Sequence, residues 1–322
     1  MIRILVVLAL TLGSTLALSQ PAFAQPYPSK PVRFVVGFPP GGSADPTTRI
    51  IGAALQEQMG QPVIVENRPG ADSAIAAEQI TRAAPGGYTI FFGSNSAMTA
   101  AVALRKTAPY DPLKDFTPVS MVGRATIFFY IHPSVPATTL REFVAHARAN
   151  PGKLNYGTGN PLSILYNVQL MQATGIDMVQ VHYKGEGPLM PDILAGRVQS
   201  SFMTQAAAIA NAKEGKLRAL AVLLESRSPL LPNVPTIAEA GVPEVSVRQW
   251  AAVFGPPKMP REIVERLNRE VNAALRRQDV IDKLQAYGYA LEGSTPERVT
   301  EINRVDLALW RELVAKAGIA LE

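Results

Sequence analysis

The chain has 322 residues, and 47% of them are hydrophobic, enough for more than one core. Its formal net charge of +5 is spread rather than clustered, which gives no basis for binding nucleic acid. It contains no cysteine, which excludes disulfides, thiolate nucleophiles and cysteine-bound metals.

Met1-Ile2-Arg3 is a short cationic start, and an apolar run from Ile4 to Leu18 follows, interrupted only by small polar residues. Ala22-Phe23-Ala24 places small residues at the two positions a signal peptidase reads, so residues 1–24 are expected to be a secretory signal peptide cut before Gln25. The run is short for a stable membrane span, no Cys follows to accept lipid, and no later segment is long and apolar enough to cross a bilayer. The mature chain is expected in the periplasm.

The spacing then predicts a strand over 32–36, a glycine-proline loop over 37–45, and a helix with Pro46 at its first position, Ile51 and Leu55 on one face and Gly60 as its stop. A strand over 62–65, a helix over 73–84, the turn Pro85-Gly86-Gly87 and a strand over 88–92 complete a βαβαβ unit. Residues 110–116 form a connection rich in Pro and Asp, and 117–131 read as extended. A second series follows: helix 140–149, strand 153–156, helix 162–173, strand 177–181, a helix ending before Gly196, and strands 199–203 and 217–223. Proline-rich turns over 229–235 lead into an extended segment, 245–254. The remainder is helical: Ile263, Leu267 and Val271 share a face, and Ser294 and Glu297 bracket a capping box before a last helix that stops near Gly318.

This alternation predicts an α/β fold with largely parallel sheets. The last helices need a sheet to cover, and the first unit leaves one side of its sheet open. The chain is therefore expected to leave lobe one near Arg124, build lobe two, and return near Arg248. Lobe one is then 25–124 plus 248–322, and lobe two is 125–247, with a two-crossing hinge and a cleft between them.

Ligands of open α/β sheets sit beyond the carboxyl ends of the strands. Two loops there stand out. Gly37-Phe38-Pro39-Pro40-Gly41-Gly42-Ser43-Ala44-Asp45 turns sharply before a helix, as does Gly157-Thr158-Gly159-Asn160-Pro161. Glycines let the backbone approach a ligand, and amides ahead of a helix N-terminus attract anions. Either loop alone is an ordinary strand-to-helix turn; two at matching places suggest a shared ligand. The candidate contacts are Phe38, Pro40, Gly41, Gly42, Ser43, Ala44 and Asp45, with Ser94 and Asn95 closing a strand of lobe one, and Thr158, Gly159, Asn160, Ser163 and Thr204 in lobe two. Asp45, next to Pro46, reads as a helix cap that organises its loop. Trp250, on the return crossing, reads as core packing.

Catalytic patterns are missing. The run Gly93-Ser94-Asn95-Ser96-Ala97 has Asn where a hydrolase elbow needs its nucleophile, and Gly215-Lys216 is followed by Leu217 rather than by the Ser or Thr of a phosphate loop. His132, His146 and His182 lack metal-ligand spacing. No cofactor is expected.

Several stretches resemble the receptors of tripartite tricarboxylate transporters, also called Bug receptors. They are Phe38-Pro39-Pro40-Gly41-Gly42-Ser43-Ala44-Asp45, Val65-Glu66-Asn67-Arg68-Pro69-Gly70-Ala71, Ala84-Pro85-Gly86-Gly87-Tyr88-Thr89, Tyr110-Asp111-Pro112-Leu113-Lys114-Asp115-Phe116, Leu154-Asn155-Tyr156, Tyr183-Lys184-Gly185, Gly215-Lys216-Leu217-Arg218-Ala219-Leu220-Ala221 and Val234-Pro235-Thr236-Ile237-Ala238-Glu239-Ala240-Gly241. The resemblance implies a two-lobed type II periplasmic binding protein fold and no enzymatic activity. It implies a small carboxylate ligand held by backbone amides, hydroxyls and bridging waters of the two glycine loops. It also implies integral-membrane permease subunits as partners, and the receptor itself is expected to be a monomer. Some family members deliver ligand to signalling systems instead. The chain departs from the family pattern at Ser163-Ile164 and Val168, where a Ser-His pair and a Glu are common, at Asp72-Ser73, where glycines are common, and at Phe202-Met203-Thr204, where an Asp is common. Ile164 and Val168 share a helix face, which either packs in the core of lobe two or, if it borders the cleft, offers apolar surface to the spacer of a dicarboxylate, aliphatic or aromatic. The rival readings are an exported α/β hydrolase and the effector domain of a transcription regulator. The first lacks a nucleophile with its base, and the second would need a DNA-binding unit where the signal peptide stands.

Overall fold

In the computed structural model, residues 27–40, 43–245, 247 and 249–317 are described. The expected signal peptide, Gly41, Gly42, the return point at Arg248 and the stop at Gly318 lie outside the described residues. Val32, Phe34 and Val36 of strand β1 (Val32–Val36) belong to one core and Val35 to another, so the strand is buried on both faces. Helix α1 (Ala44–Met59) follows and ends at Gly60, which takes the left-handed conformation a helix stop requires. Strand β2 (Val63–Asn67), helix α2 (Ala74–Thr81) and strand β3 (Thr89–Ser94) complete the first unit, and β1 pairs in parallel with both β2 and β3.

A helical segment absent from the expectation comes next: one π-type turn, Ser96–Ala100, running into α3 (Ala101–Ala103). The extended stretch 117–131 proves to be two strands, β4 (Thr117–Ala125) and β5 (Ile127–Ile131), which enter different sheets. The second series runs α4 (Leu140–Ala149), β6 (Asn155–Thr158), α5 (Pro161–Thr174), β7 (Val179–His182), α6 (Glu186–Leu194), β8 (Ser200–Thr204), α7 (Gln205–Lys213) and β9 (Arg218–Val222). The chain then forms β10 (Trp250–Gly255), α8 (Arg261–Leu275), α9 (Gln278–Ala286), β11 (Tyr289–Leu291) and α10 (Pro296–Ala317).

The strands make two sheets, ordered β11-β4-β10-β3-β1-β2 and β7-β6-β8-β5-β9. Each is mixed rather than largely parallel. β10 lies antiparallel between β3 and β4, and β5 lies antiparallel between β8 and β9. β5 follows β4 after the single residue Thr126 and so carries the chain straight from the first sheet into the second, where it runs opposite to β8 and β9. Ile127, Phe129 and Ile131 fill one core of the second sheet, and Phe128 and Tyr130 fill the other.

Two helix starts differ from the expectation. α1 begins at Ala44, so Pro46 is its third residue, and Asp45 lies inside the first turn rather than capping it. Before α10, Thr295 rather than Ser294 holds the helical amide, accepting from Arg298 N at 3.3 Å, while the Ser294 hydroxyl accepts the Met121 amide at 3.0 Å. α10 spans both halves of the molecule. Val299, Ile302 and Leu307 share a core with Trp250 and Met98, whereas Trp310 and Val314 share one with Leu165 and Tyr166 of α5.

Candidate ligand-binding cleft

Four helices begin at one place. Ser43, Asn160, Gly185 and Thr204 are the N-caps of α1, α5, α6 and α7, and all four line a single cleft between the sheets. The first turn of a helix carries amides with no intrahelical partner and the positive end of the helix dipole. Asn160 satisfies its own helix: its Oδ1 accepts from Ser163 N at 3.0 Å, and the Ser163 hydroxyl donates to Asn160 O at 2.6 Å. Ser43, Gly185 and Thr204 make no side-chain cap bond, so α1 and α6 present their first amides uncapped, whereas the first amide of α7, Gln205 N, donates to Thr126 O at 2.9 Å.

Apolar surface comes from Phe38, Pro39, Pro40 and Ala44, and further polar atoms from Glu186 and Gln249. Among the described residues the lining holds no lysine or arginine. The two halves meet closely. A Cβ on Gly185 would sit 3.4 Å from Pro39 Cγ, and one on Gly187 would sit 3.9 Å from Pro40 O. Within lobe two, a Cβ on Gly159 would lie 2.8 Å from the Glu186 amide nitrogen, so only glycine fits there without displacement.

Of the residues singled out in the sequence, Phe38, Pro40, Ser43, Ala44, Gly159, Asn160 and Thr204 come together in this lining. Gly41 and Gly42 lie outside the described residues. Asp45, Ser94, Asn95, Thr158 and Ser163 sit behind it. Asp45 accepts from Asn67 Nδ2 at 2.8 Å and pairs with Arg49 at 3.0 Å, and Asn67 Nδ2 also donates to Phe38 O, so this carboxylate braces the first loop from behind. The Thr158 hydroxyl accepts from Gln180 Nε2 at 3.0 Å. Ser94 is buried at the end of β3, and Asn95 bonds the carboxyl of Asp306, away from the cleft. Trp250 is fully buried and donates to the same carboxyl at 3.0 Å. Ile164 and Val168 share a half-buried face but do not line the cleft; the apolar surface is that of Phe38, Pro39 and Pro40 instead.

The sequence reading did not place Gly185, Glu186, Gly187 or Gln249 in the site, although Gly185 closes one of the stretches that carry the resemblance. The run Gly185-Glu186-Gly187 follows a strand and opens a helix, so it is a third glycine loop of the kind singled out twice already. Glu186 is buried, and its carboxyl accepts the Thr204 amide at 2.8 Å and meets the Thr204 hydroxyl. Burial pushes its pKa up, and the two Thr204 bonds offset only part of that.

Two α/β lobes with helix N-termini gathered in the cleft between them define a two-lobed binding-protein fold. The family model for the tripartite tricarboxylate transporter family receptor matches residues 47–318, and the chain belongs to that family. It is 33% identical to protein BugT of Bordetella pertussis, over all of this chain and 99% of that one. Among solved structures it resembles R. palustris Rpa4515 with adipate, with a TM-score of 0.87 and 33% identity over 91% of this chain and 99% of that one. It also resembles MatC from Rhodopseudomonas palustris with bound malate, with a TM-score of 0.81 and 30% identity over 89% of this chain and all of that one.

Proposed function

We propose that the protein is a periplasmic receptor that captures a small dicarboxylate between its lobes, does no chemistry on it, and passes it to integral-membrane permease subunits. The observation that carries this reading is the convergence of the α1, α5, α6 and α7 N-termini on a cleft whose described lining has no cation. Oriented amides hold a carboxylate without the cost of dehydrating an opposing charge. The adipate and malate of the two neighbours are both diacids, which supports a ligand with an anionic group at each end. Phe38, Pro40, Gly41, Gly42, Ser43 and Ala44 of lobe one and Gly159, Asn160 and Thr204 of lobe two are the contacts, with Asp45, Ser94, Asn95, Thr158 and Ser163 behind them. The lobes divide at 124/125 and 247/248. β4 and β10 belong to the first sheet while β5 and β9 belong to the second, which supports crossings at these two places, with Ala125, the last residue of β4, on the side of lobe one.

Phe38, Pro39 and Pro40 favour an apolar spacer. Burying a methylene there contributes about 0.8 kcal/mol, whereas an unpaired hydroxyl costs roughly 1–3 kcal/mol. Thermal-shift and calorimetric titration with unsubstituted diacids of increasing length, malate and citrate tests both levels. A longer unsubstituted diacid is expected to bind most tightly and raise Tm most. Citrate binding more tightly than every longer diacid overturns the spacer assignment, and no response to any carboxylate overturns the receptor reading.

A further inference from the structure

Glu186 is an acid in a cleft otherwise arranged for anions. It opens α6, is 8% exposed and lines the cleft together with Ser43, Gly159 and Thr204. Its Oε1 accepts the Thr204 amide at 2.8 Å, and its Oε2 lies against the Thr204 hydroxyl. The groups acting on it are burial and Thr204, with no cation among them. Two titratable groups face it from other elements. Tyr130 of β5 has a buried hydroxyl without a hydrogen-bond partner, and Tyr289 of β11 shares a hydrogen bond with Ser43. Burial pushes both phenols well above their ordinary range, so both stay neutral at any working pH. The Asp45 carboxyl of α1 is turned away, onto Arg49 and Asn67.

An ionised Glu186 would meet an incoming diacid as a third carboxylate in a closed, poorly hydrated space. Like charges held that close do not both remain ionised; one takes a proton. Thr204 leaves room for that proton. Oε1 is committed as an acceptor of the amide, whereas Oε2 can accept the Thr204 hydroxyl and still carry a hydrogen directed at the cleft.

We infer that Glu186 meets the bound diacid as a neutral carboxylic acid donating a hydrogen bond to one ligand carboxylate, so that each capture takes up one proton from solvent and each release returns it. The inference rests on the receptor reading above. It makes Glu186 a specificity residue, because an ammonium group at the same place would require the ionised form and no proton uptake. The sign follows. Closure over the ligand raises the Glu186 pKa above its value in the open protein, so the Glu186 contribution to binding is complete below the open-state value, is lost as pH rises from there to the bound-state value, and is flat above it.

Calorimetry with adipate as the probe decides, with malate in its place if adipate gives no binding. Titrations at about pH 7 in two buffers of different ionisation enthalpy count the protons, and adipate itself is fully ionised there. The wild type is expected to take up close to one proton, and its affinity to fall by up to tenfold per pH unit as pH is raised from there. Glu186→Gln keeps the bond from the Thr204 amide through its Oε1, donates from Nε2 to the Thr204 hydroxyl where the carboxylate accepted, and cannot ionise; it is expected to take up none, to show a flat profile, and to match or exceed the wild type at the high end. Wild-type binding without proton uptake overturns the inference alone and leaves the receptor reading standing. So does a Gln variant that loses binding at every pH while the wild-type profile is flat, which marks an ionised Glu186. If no diacid binds the wild type, the inference falls; if no carboxylate of any kind binds it, the receptor reading falls as well. The wild-type proton count stands on its own should the variant fold poorly.

Discussion

Gly159 sets the depth of the cleft. With a Cβ, it would press on the Glu186 amide nitrogen and the Gly185 carbonyl carbon, each 2.8 Å away, and backbone cannot swing aside as a side chain can. Gly159→Ala is expected to push the start of α6 outward, cost roughly 1–3 kcal/mol of stability and weaken adipate binding by about tenfold or more. A urea melt and a calorimetric titration measure the two effects, and unchanged affinity counts against the role. The sequence disclosed this residue because a glycine-rich strand-to-helix loop is visible in composition alone. Glu186 stayed hidden for a physical reason: an acid in the first turn of a helix ordinarily faces water. Its carboxyl is held by Thr204, 18 residues away at the end of β8. The departure at Asp72-Ser73 was legible, but its consequence was not. Ala71, Asp72 and Ser73 take φ of 46°, 56° and 72°, left-handed values that glycine adopts without penalty, and the Ser73 hydroxyl ties the turn to Gly37 O at 3.0 Å.

Among the elements, periodic ones were readable. The expectation for α4 matches its observed span, and a capping box between Thr139 and Glu142 starts it. α7 was missed because Gln205-Ala206-Ala207-Ala208-Ile209-Ala210 is too uniformly small to show an apolar stripe, and β11 because three residues carry no pattern. The path of α10 across both cores was also out of reach, since it depends on partners far away in the chain. That helix carries Asp306, whose carboxyl accepts from Trp250 Nε1 at 3.0 Å and from the Thr99 hydroxyl at 3.3 Å. Burial pushes its pKa from 3.8 up to about 6, against those hydrogen bonds. The folded state therefore holds a proton that the unfolded chain releases between these values. The resulting stabilisation is complete below about pH 4 and is lost as pH rises to about 6, with a ceiling of roughly 3 kcal/mol. Asp306→Asn still accepts from Trp250 but does not ionise. Its Tm relative to wild type is expected to climb between those two pH values and level off above; a constant difference across the range refutes the assignment.

Over the whole molecule, the cleft is closed in this structure, as the approach of Gly185 to Pro39 and of Gly187 to Pro40 shows. A ligand that touches both lobes binds the closed arrangement better than an open one and shifts the population toward it by that difference in affinity. Closure is not carried by the β4–β5 passage and the return to β10 alone, because α10 has side chains in a core on each side. Movement of the lobes must bend or slide that helix, which favours a modest change in dimensions over a wide swing. Small-angle scattering is expected to give a smaller radius of gyration with saturating adipate than without it. A wedge in the cleft tests whether these contacts mark the closed state. Gly187 lies in the first turn of α6 with an ordinary helical φ, and a Cβ there reaches only to van der Waals distance from Pro40 O. Lobe two therefore accepts Gly187→Leu, whereas the rest of that side chain runs into Pro40 across the cleft. The variant is expected to keep the far-ultraviolet spectrum of the wild type, to hold the ligand-free radius of gyration when adipate is added, and to lose most of its affinity. Compaction equal to that of the wild type would mean that these contacts do not mark the closed, ligand-holding state.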